Sequence, residues 1–270
     1  MRLQVKSCDV CEYRRSDIPS LLRACPTVGV AVAADDKPSI VFAHGSWADG
    51  SCFSKVISQL QAEGYEAISS GYGLERLAGD VAATIRALGR VTGPSVLVGH
   101  SYGGSVITVA GTDPRVAALV YVAAIAPDVG ETSETQLSNF PISDICSNVE
   151  VADGHLWMFP EGVECLAGDL SAQDKAIVWA THRAPAADLF DAEVTGAAWR
   201  TKPSWYIVAG QDRTVDPDLQ RFFAGRIAAT TYEIQSSHMM MLSHPEFVID
   251  VIKQAAHAVQ NSSAASAVAR

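Results

Sequence analysis

The chain has 270 residues, 48% of them hydrophobic and 19% charged, and 20 Lys and Arg against 30 Asp and Glu give a formal net charge of −10. That balance fits a globular chain with one large core or two small ones and excludes a disordered polyelectrolyte. An acidic surplus without a dense Lys/Arg cluster argues against a nucleic-acid or anionic-membrane surface, and no apolar run reaches the ~20 residues that span a bilayer.

Residues 1–37 read as an N-terminal extension. Arg14 and Arg15 precede an apolar stretch ending in Ala31-Val32-Ala33-Ala34, loosely like an export signal, but Asp17, Arg23 and Pro26 interrupt it. A cytoplasmic protein is expected, with export as the minority alternative. Cys8 and Cys11 have the spacing of half a zinc site, but no second pair follows at a matching distance, so no metal is expected. Cys146 and Cys165 flank one polar segment and would pair only in an exported protein; reduced thiols are the default reading.

From residue 38 the pattern becomes regular. Ser39–Ala43 is a short apolar strand stopped by His44-Gly45. Phe53–Ala62 repeats Phe53, Val56, Ile57 and Leu60 on one helical face, and Gly64 ends it. Tyr65–Ser69 gives the next strand, and Leu74–Leu88 a second amphipathic helix with Leu74, Leu77, Val81, Ile85 and Leu88 on its stripe. After Pro94 come strand Ser95–Gly99, helix Tyr102–Ala110 and strand Val116–Ala123. The alternation resumes with strand Ser204–Ala209, a helix around Pro217–Ile227, strand Thr230–Ile234 and helix Glu246–Val259.

Strands apolar on both faces, alternating with helices, require a mostly parallel sheet covered on both sides, the α/β class. Residues 128–200 break the rhythm, with short helical patches and one weak strand signal at Leu156–Phe159. An insertion there reads as a lid over the carboxyl edge of the sheet. Residues 38–260 thus form one domain with a lid at about 128–200, and 261–270 (NSSAASAVAR) read as a flexible tail.

The stretch Leu97–Gly104, LVGHSYGG, places a G-x-S-x-G turn between a strand and a helix. Such a turn holds its serine in strained positive-φ geometry, and glycines at Gly99 and Gly103 let strand and helix approach. Ser101 is therefore the candidate nucleophile. It needs a base, because a serine hydroxyl is nearly unreactive at neutral pH. Of seven histidines, His238 follows the last strand directly; His44 and His100 flank glycine turns and suit loop-orienting roles. For the acid, Asp212 follows the penultimate strand. Asp128 is its main rival at another strand end, while Asp216 before Pro217 has the pattern of a helix N-cap. Oxyanion donors are expected from the main-chain N–H groups of Tyr102 and Ser46. Trp47, Trp157, Phe159 and Met239 are candidate pocket residues, for which simple packing is an equal reading.

VFAHGSWADGSCFSKVI, LVGHSYGGSVI and SWYIVAGQDRTVDPDLQRFFA with SSHMMMLSHPEFV resemble the α/β-hydrolase superfamily over about residues 38–258. The branch they resemble contains plant methylesterases, hydroxynitrile lyases and related bacterial esterases. The resemblance implies an α/β-hydrolase fold with Ser101 as nucleophile, Asp212 as acid and His238 as base. The lyases of this branch carry threonine after the loop histidine and lysine after the catalytic histidine; here those positions are Gly45 and Met239, as in the esterases. The resulting expectation is a serine carboxylesterase acting on a small or medium, neutral or apolar ester without a cofactor. A homodimer is left open. Perhydrolase-like or lyase-like chemistry on the same scaffold, or a non-catalytic ligand-binding protein of this fold, are the alternatives.

Overall fold

Residues 37–268 are described in this computed structural model; Cys8, Cys11, Arg14 and Arg15 lie outside them. Six strands build the central sheet: β1 (Ser39–Ala43), β2 (Ala67–Ser69), β3 (Ser95–His100), β4 (Val116–Val122), and, after the insertion, β7 (Ser204–Ala209) and β8 (Thr230–Ile234). Their order is β2-β1-β3-β4-β7-β8, and every neighbouring pair is parallel. The parallel arrangement follows from strands apolar on both faces. β1, β3 and β7 are buried along their whole length.

Alternate residues of each strand enter opposite cores. Ile40, Phe42, Val96 and Val98 pack in one cluster with Val56 and Leu60 of α1 (Ser54–Ala62) and Val248, Ile249 and Ile252 of the last helix. Val41, Ala43, Leu97 and Leu119 face the other way. They join Leu77 of α2 (Leu77–Leu88), Val106 and Ile107 of α3 (Gly103–Ala110), and Leu219 and Phe223 of the helix after β7.

The expected elements are all present, with shifted ends. A 3-10 turn at Gly50–Phe53 precedes α1. α2 begins at Leu77 rather than Leu74, because Leu74 has φ 63° and cannot continue a helix, although its side chain is fully buried.

Between β4 and β7 the insertion holds α4 (Ser133–Leu137), an antiparallel hairpin of β5 (Val149–Ala152) and β6 (His155–Met158), α5 (Val163–Ala167) and α6 (Ala172–Thr181). β6 matches the weak strand signal; its partner β5 was not anticipated. α7 (Pro217–Arg226) and the short α8 (Met240–Ser243) follow. α9 runs from Pro245 to Val268, well past Val259 and through most of the segment expected as a tail. Cys146 and Cys165 are both free thiols, Cys165 buried and Cys146 exposed. Among the described residues no helix is long and apolar enough to cross a membrane.

Candidate active site

The loops after β1, β3, β7 and β8 leave the sheet at one edge. Registers Ala43↔Gly99 and Ala209↔Ile234 bring their strands to a common end. Ser101, one residue past β3, has φ 56°. Its N–H donates to the Val122 carbonyl (3.2 Å), and its own carbonyl accepts from Gly104 (2.9 Å) and Ile125 (3.1 Å). Those three bonds hold the residue in a conformation that most side chains avoid. The turn has no room for side chains beside it. A Cβ on Gly103 would lie 2.3 Å from the Ala43 carbonyl, and one on Gly45 would lie 2.5 Å from the Ser101 Cβ. The β1 loop thus runs directly against the serine.

His238 is fully buried four residues after β8, and its Nδ1 is 2.6 Å from Asp212 Oδ2. A carboxylate only accepts, so Nδ1 carries the proton and the Nε2 lone pair is free. That Nε2 is buried and meets no protein hydrogen-bond partner among the described residues. The ring is placed beside the serine turn by His100, Ser101's neighbour in the chain. The two imidazole centroids are 4.4 Å apart, and His100 Nε2 donates to the His238 carbonyl at 3.0 Å. Burial holds the His100 imidazole well below its usual pKa, and the adjacent His238 adds to the effect. A neutral His100 leaves His238 without a second charge against it.

Asp212 is anchored on all sides. Its Oδ1 accepts from the N–H groups of Thr214 (2.7 Å) and Val215 (3.0 Å), and its Oδ2 accepts from Gln220 Nε2 (2.7 Å) besides His238. Gln220 on α7 was missed from the sequence. Its place on the buried stripe between Leu219 and Phe223, where an apolar residue is expected, was the available signal. The rival Asp128 instead pairs with Arg200 at 2.5 Å, and Asp216 caps α7 by accepting from Asp218 and Leu219. His44 keeps to its own loop, with Nδ1 3.0 Å from the Gly45 carbonyl and its ring stacked on Tyr72.

The expected oxyanion groups lie on the same edge. The N–H groups of Ser46 and Tyr102 donate to no main-chain carbonyl among the described residues, whereas that of Trp47 donates to Arg183 (3.1 Å). The Ser46 hydroxyl is buried without a partner among the described residues. The Tyr102 side chain turns away, its hydroxyl donating to Asp80 Oδ2 of α2 at 2.9 Å.

A cavity of about 490 Å³ opens at Ser101, with Ser46, Trp47, Ile125, Leu156, Phe190 and Val215 in its wall. Of the four candidate pocket residues, Trp47 belongs here, held by its Nε1–H on the Leu156 carbonyl (2.8 Å). The other three do not. Trp157 faces a separate shallow cleft with His155 and His182, Phe159 is solvent-exposed, and Met239 is buried in the core with Met240 and Met241. No cluster of three or more His, Cys, Asp or Glu side chains suited to a metal ion occurs among the described residues.

Fold and site geometry together define an α/β-hydrolase scaffold. A model of the Alpha/beta hydrolase family matches residues 40–251, most of the chain, and the chain belongs to that family. No curated protein matches it by sequence. Solved structures with the same fold include polyneuridine aldehyde esterase (18% identity, 79% of this chain and 97% of that one, TM-score 0.69). They also include a pyrethroid hydrolase from Sphingobium faniae JZ-2 (21% identity, 82% and 98%, TM-score 0.70). A third is an extracellular alpha/beta-hydrolase from a Paenibacillus species, described as sharing structural and functional homology with tobacco salicylic acid binding protein 2 (19% identity, 81% and 99%, TM-score 0.65).

Proposed function

We propose that the protein is a serine carboxylesterase for small to medium, neutral or apolar esters, working through an acyl-enzyme on Ser101. The observation that carries this reading is the buried Asp212–His238 pair, whose Nε2 meets no protein partner among the described residues and whose ring stands 4.4 Å from that of His100, the residue before a serine at φ 56°. His238 Nε2 takes the Ser101 proton as Oγ attacks the ester carbonyl, and the C–O bond to the leaving alcohol breaks as His238 returns the proton to that alcohol. Water then repeats the sequence on the acyl-enzyme and releases the acid. Asp212 accepts from Nδ1 throughout, fixing the tautomer and stabilising the imidazolium. The Ser46 and Tyr102 N–H groups receive the developing oxyanion; one such donor is worth about 10²–10³ in rate.

The tight approach of Gly45 supports hydrolysis over lyase chemistry. A side chain of the lyase type at that position would collide with the Ser101 Cβ unless the loop moved. Two of the structural neighbours, polyneuridine aldehyde esterase and a pyrethroid hydrolase, support the same side. A series of p-nitrophenyl esters of increasing acyl length, assayed on the wild type and Ser101→Ala, tests the reading. A chain-length optimum that disappears with Ser101 is expected. Equal slow hydrolysis by both proteins would sink the proposal and turn attention to a ligand-binding role.

A further inference from the structure

Asp169 lies in the insertion, between α5 and α6, 69 positions before the proposed base. Its carboxylate is nevertheless wrapped around the two residues that precede His238. Oδ2 accepts from the Ser236 hydroxyl (2.8 Å) and the Ser237 N–H (3.0 Å), and Oδ1 accepts from the Ser237 hydroxyl (2.5 Å). The Ser236 hydroxyl also meets that of Ser243 on α8 at 3.1 Å, and His244 Nε2 stands 3.9 Å from Asp169 Oδ2. Ser236 and Ser237 are buried, while the Asp169 side chain keeps 24% of its surface exposed, so these bonds join a buried loop to a partly solvated carboxylate. Burial alone would raise the Asp169 pKa, but the bonds from Ser237 and Ser236 outweigh it and hold the group below its usual value, as an anion.

The consequence for the site is geometric. The β8–α8 loop has no regular main-chain ladder of its own over Ser236–His238. Its placement therefore depends on what grips it. From the sheet side His100 holds the His238 carbonyl, and Asp212 holds the ring. The geometry points to Asp169 as a positioning residue through which the insertion sets where His238 stands relative to Ser101. It touches neither substrate nor the reacting atoms; it holds the main chain at Ser237, the residue immediately before the imidazole, and the Ser236 side chain, and a misplacement of about 1 Å at such a group can cost on the order of 10²-fold in rate. This inference rests on His238 being the base.

Asp169→Ala, Asp169→Asn, the double variant Ser236→Ala/Ser237→Ala and Ser101→Ala test it in one ester assay, with thermal melting alongside. Asparagine can reproduce the three contacts, its carbonyl taking the Ser237 N–H and Ser236 hydroxyl and its amide donating to a reversed Ser237 hydroxyl. The alanine variant is expected to lose roughly tenfold to a hundredfold in kcat with KM within about twofold, and the asparagine variant to recover most of that loss. The rate of Ser101 labelling by a fluorophosphonate should fall with kcat. If Asp169→Ala does not fold, the double serine variant, which keeps only the Ser237 N–H bond, carries the test with the same expected split. Wild-type kcat in a folded Asp169→Ala, or in the double variant where Asp169→Ala fails to fold, overturns the inference while an inactive Ser101→Ala leaves the esterase reading standing. An active Ser101→Ala overturns that reading instead.

Discussion

Gln220 and His238 meet on one oxygen of Asp212, at 2.7 and 2.6 Å. Because the other oxygen is taken by the Thr214 and Val215 N–H groups, the carboxylate cannot rotate without breaking a buried bond. Gln220 is itself fixed: its Oε1 accepts the Ala209 N–H (2.9 Å) and its Nε2 also donates to the Val215 carbonyl (2.8 Å). One amide thus ties the end of β7, the start of α7 and the proposed acid together. Gln220→Ala removes all three bonds and leaves the buried Ala209 N–H unpaired. A loss of about 2 kcal/mol in stability is expected, since unsatisfied buried groups cost about 1–3 kcal/mol each. A fall of about tenfold in kcat should accompany it, as the imidazole loses a fixed partner. Urea unfolding and steady-state kinetics on the purified variant check both; an unchanged kcat would show that Asp212 holds its orientation without Gln220.

Asp80 supplies a pH dependence of definite sign. Burial pushes its carboxyl up to about 6, against the hydrogen bond from the Tyr102 hydroxyl that favours the anion. A carboxyl whose pKa is raised on folding binds more protons in the folded state between the two pKa values, so stability falls as pH rises from about 4 to about 6 and is level above that. Asp80→Asn keeps a partner for Tyr102 and removes the titration. The variant should match the wild type near pH 4 and exceed it by about 3 kcal/mol above pH 7, each pKa unit being worth about 1.4 kcal/mol. Differential melting across pH 4–8 reads this directly. A difference that stays constant with pH would mean Asp80 is not the titrating group. Since Tyr102 follows Ser101, the same variant also reports whether the α2 contact influences turnover.

The parts of this architecture legible in the sequence are those written with a period. Strands apolar on both faces and helices with one apolar stripe announced the sheet, and the glycines of LVGHSYGG announced the close approach that Gly103 makes to Ala43. Asp212 was separable from Asp128 only by argument, for both end strands; in the fold an arginine 72 positions away takes Asp128. The insertion was less legible. Its strand β5 exposes Val151 and Glu150 and carries no clean alternation, and nothing local says which way Trp157 or Phe159 turns. Asp169 and the Ser236–Ser237 pair gave no signal at all, because a polar cluster joined across nearly 70 residues has no sequence spacing to read. Met239, for which pocket and packing were equal readings, is buried among two other methionines and borders a small cleft shared with Trp47 rather than the cavity at Ser101, as an unbranched side chain readily does.

The cavity itself argues for a charge preference. Its wall is largely apolar and includes the acids Glu134 and Asp216, with no Lys, Arg or His. An anionic acyl group entering it gives up hydration and meets like charge, on a chain whose net charge is already −10. Two carboxylates several ångströms away in a solvated pocket oppose a third by about 1 kcal/mol, roughly fivefold in kcat/KM. The p-nitrophenyl monoester of succinic acid should therefore be hydrolysed at least about fivefold less efficiently than the valerate ester of similar length. High salt should narrow the gap, because the exposed part of the repulsion is screened. Glu134→Gln should narrow it too, by raising kcat/KM for the succinate ester more than for the valerate ester. Equal efficiency for the two esters in the wild type would mean that the acyl group lies away from Glu134 and Asp216, on the Trp47 side of the cavity.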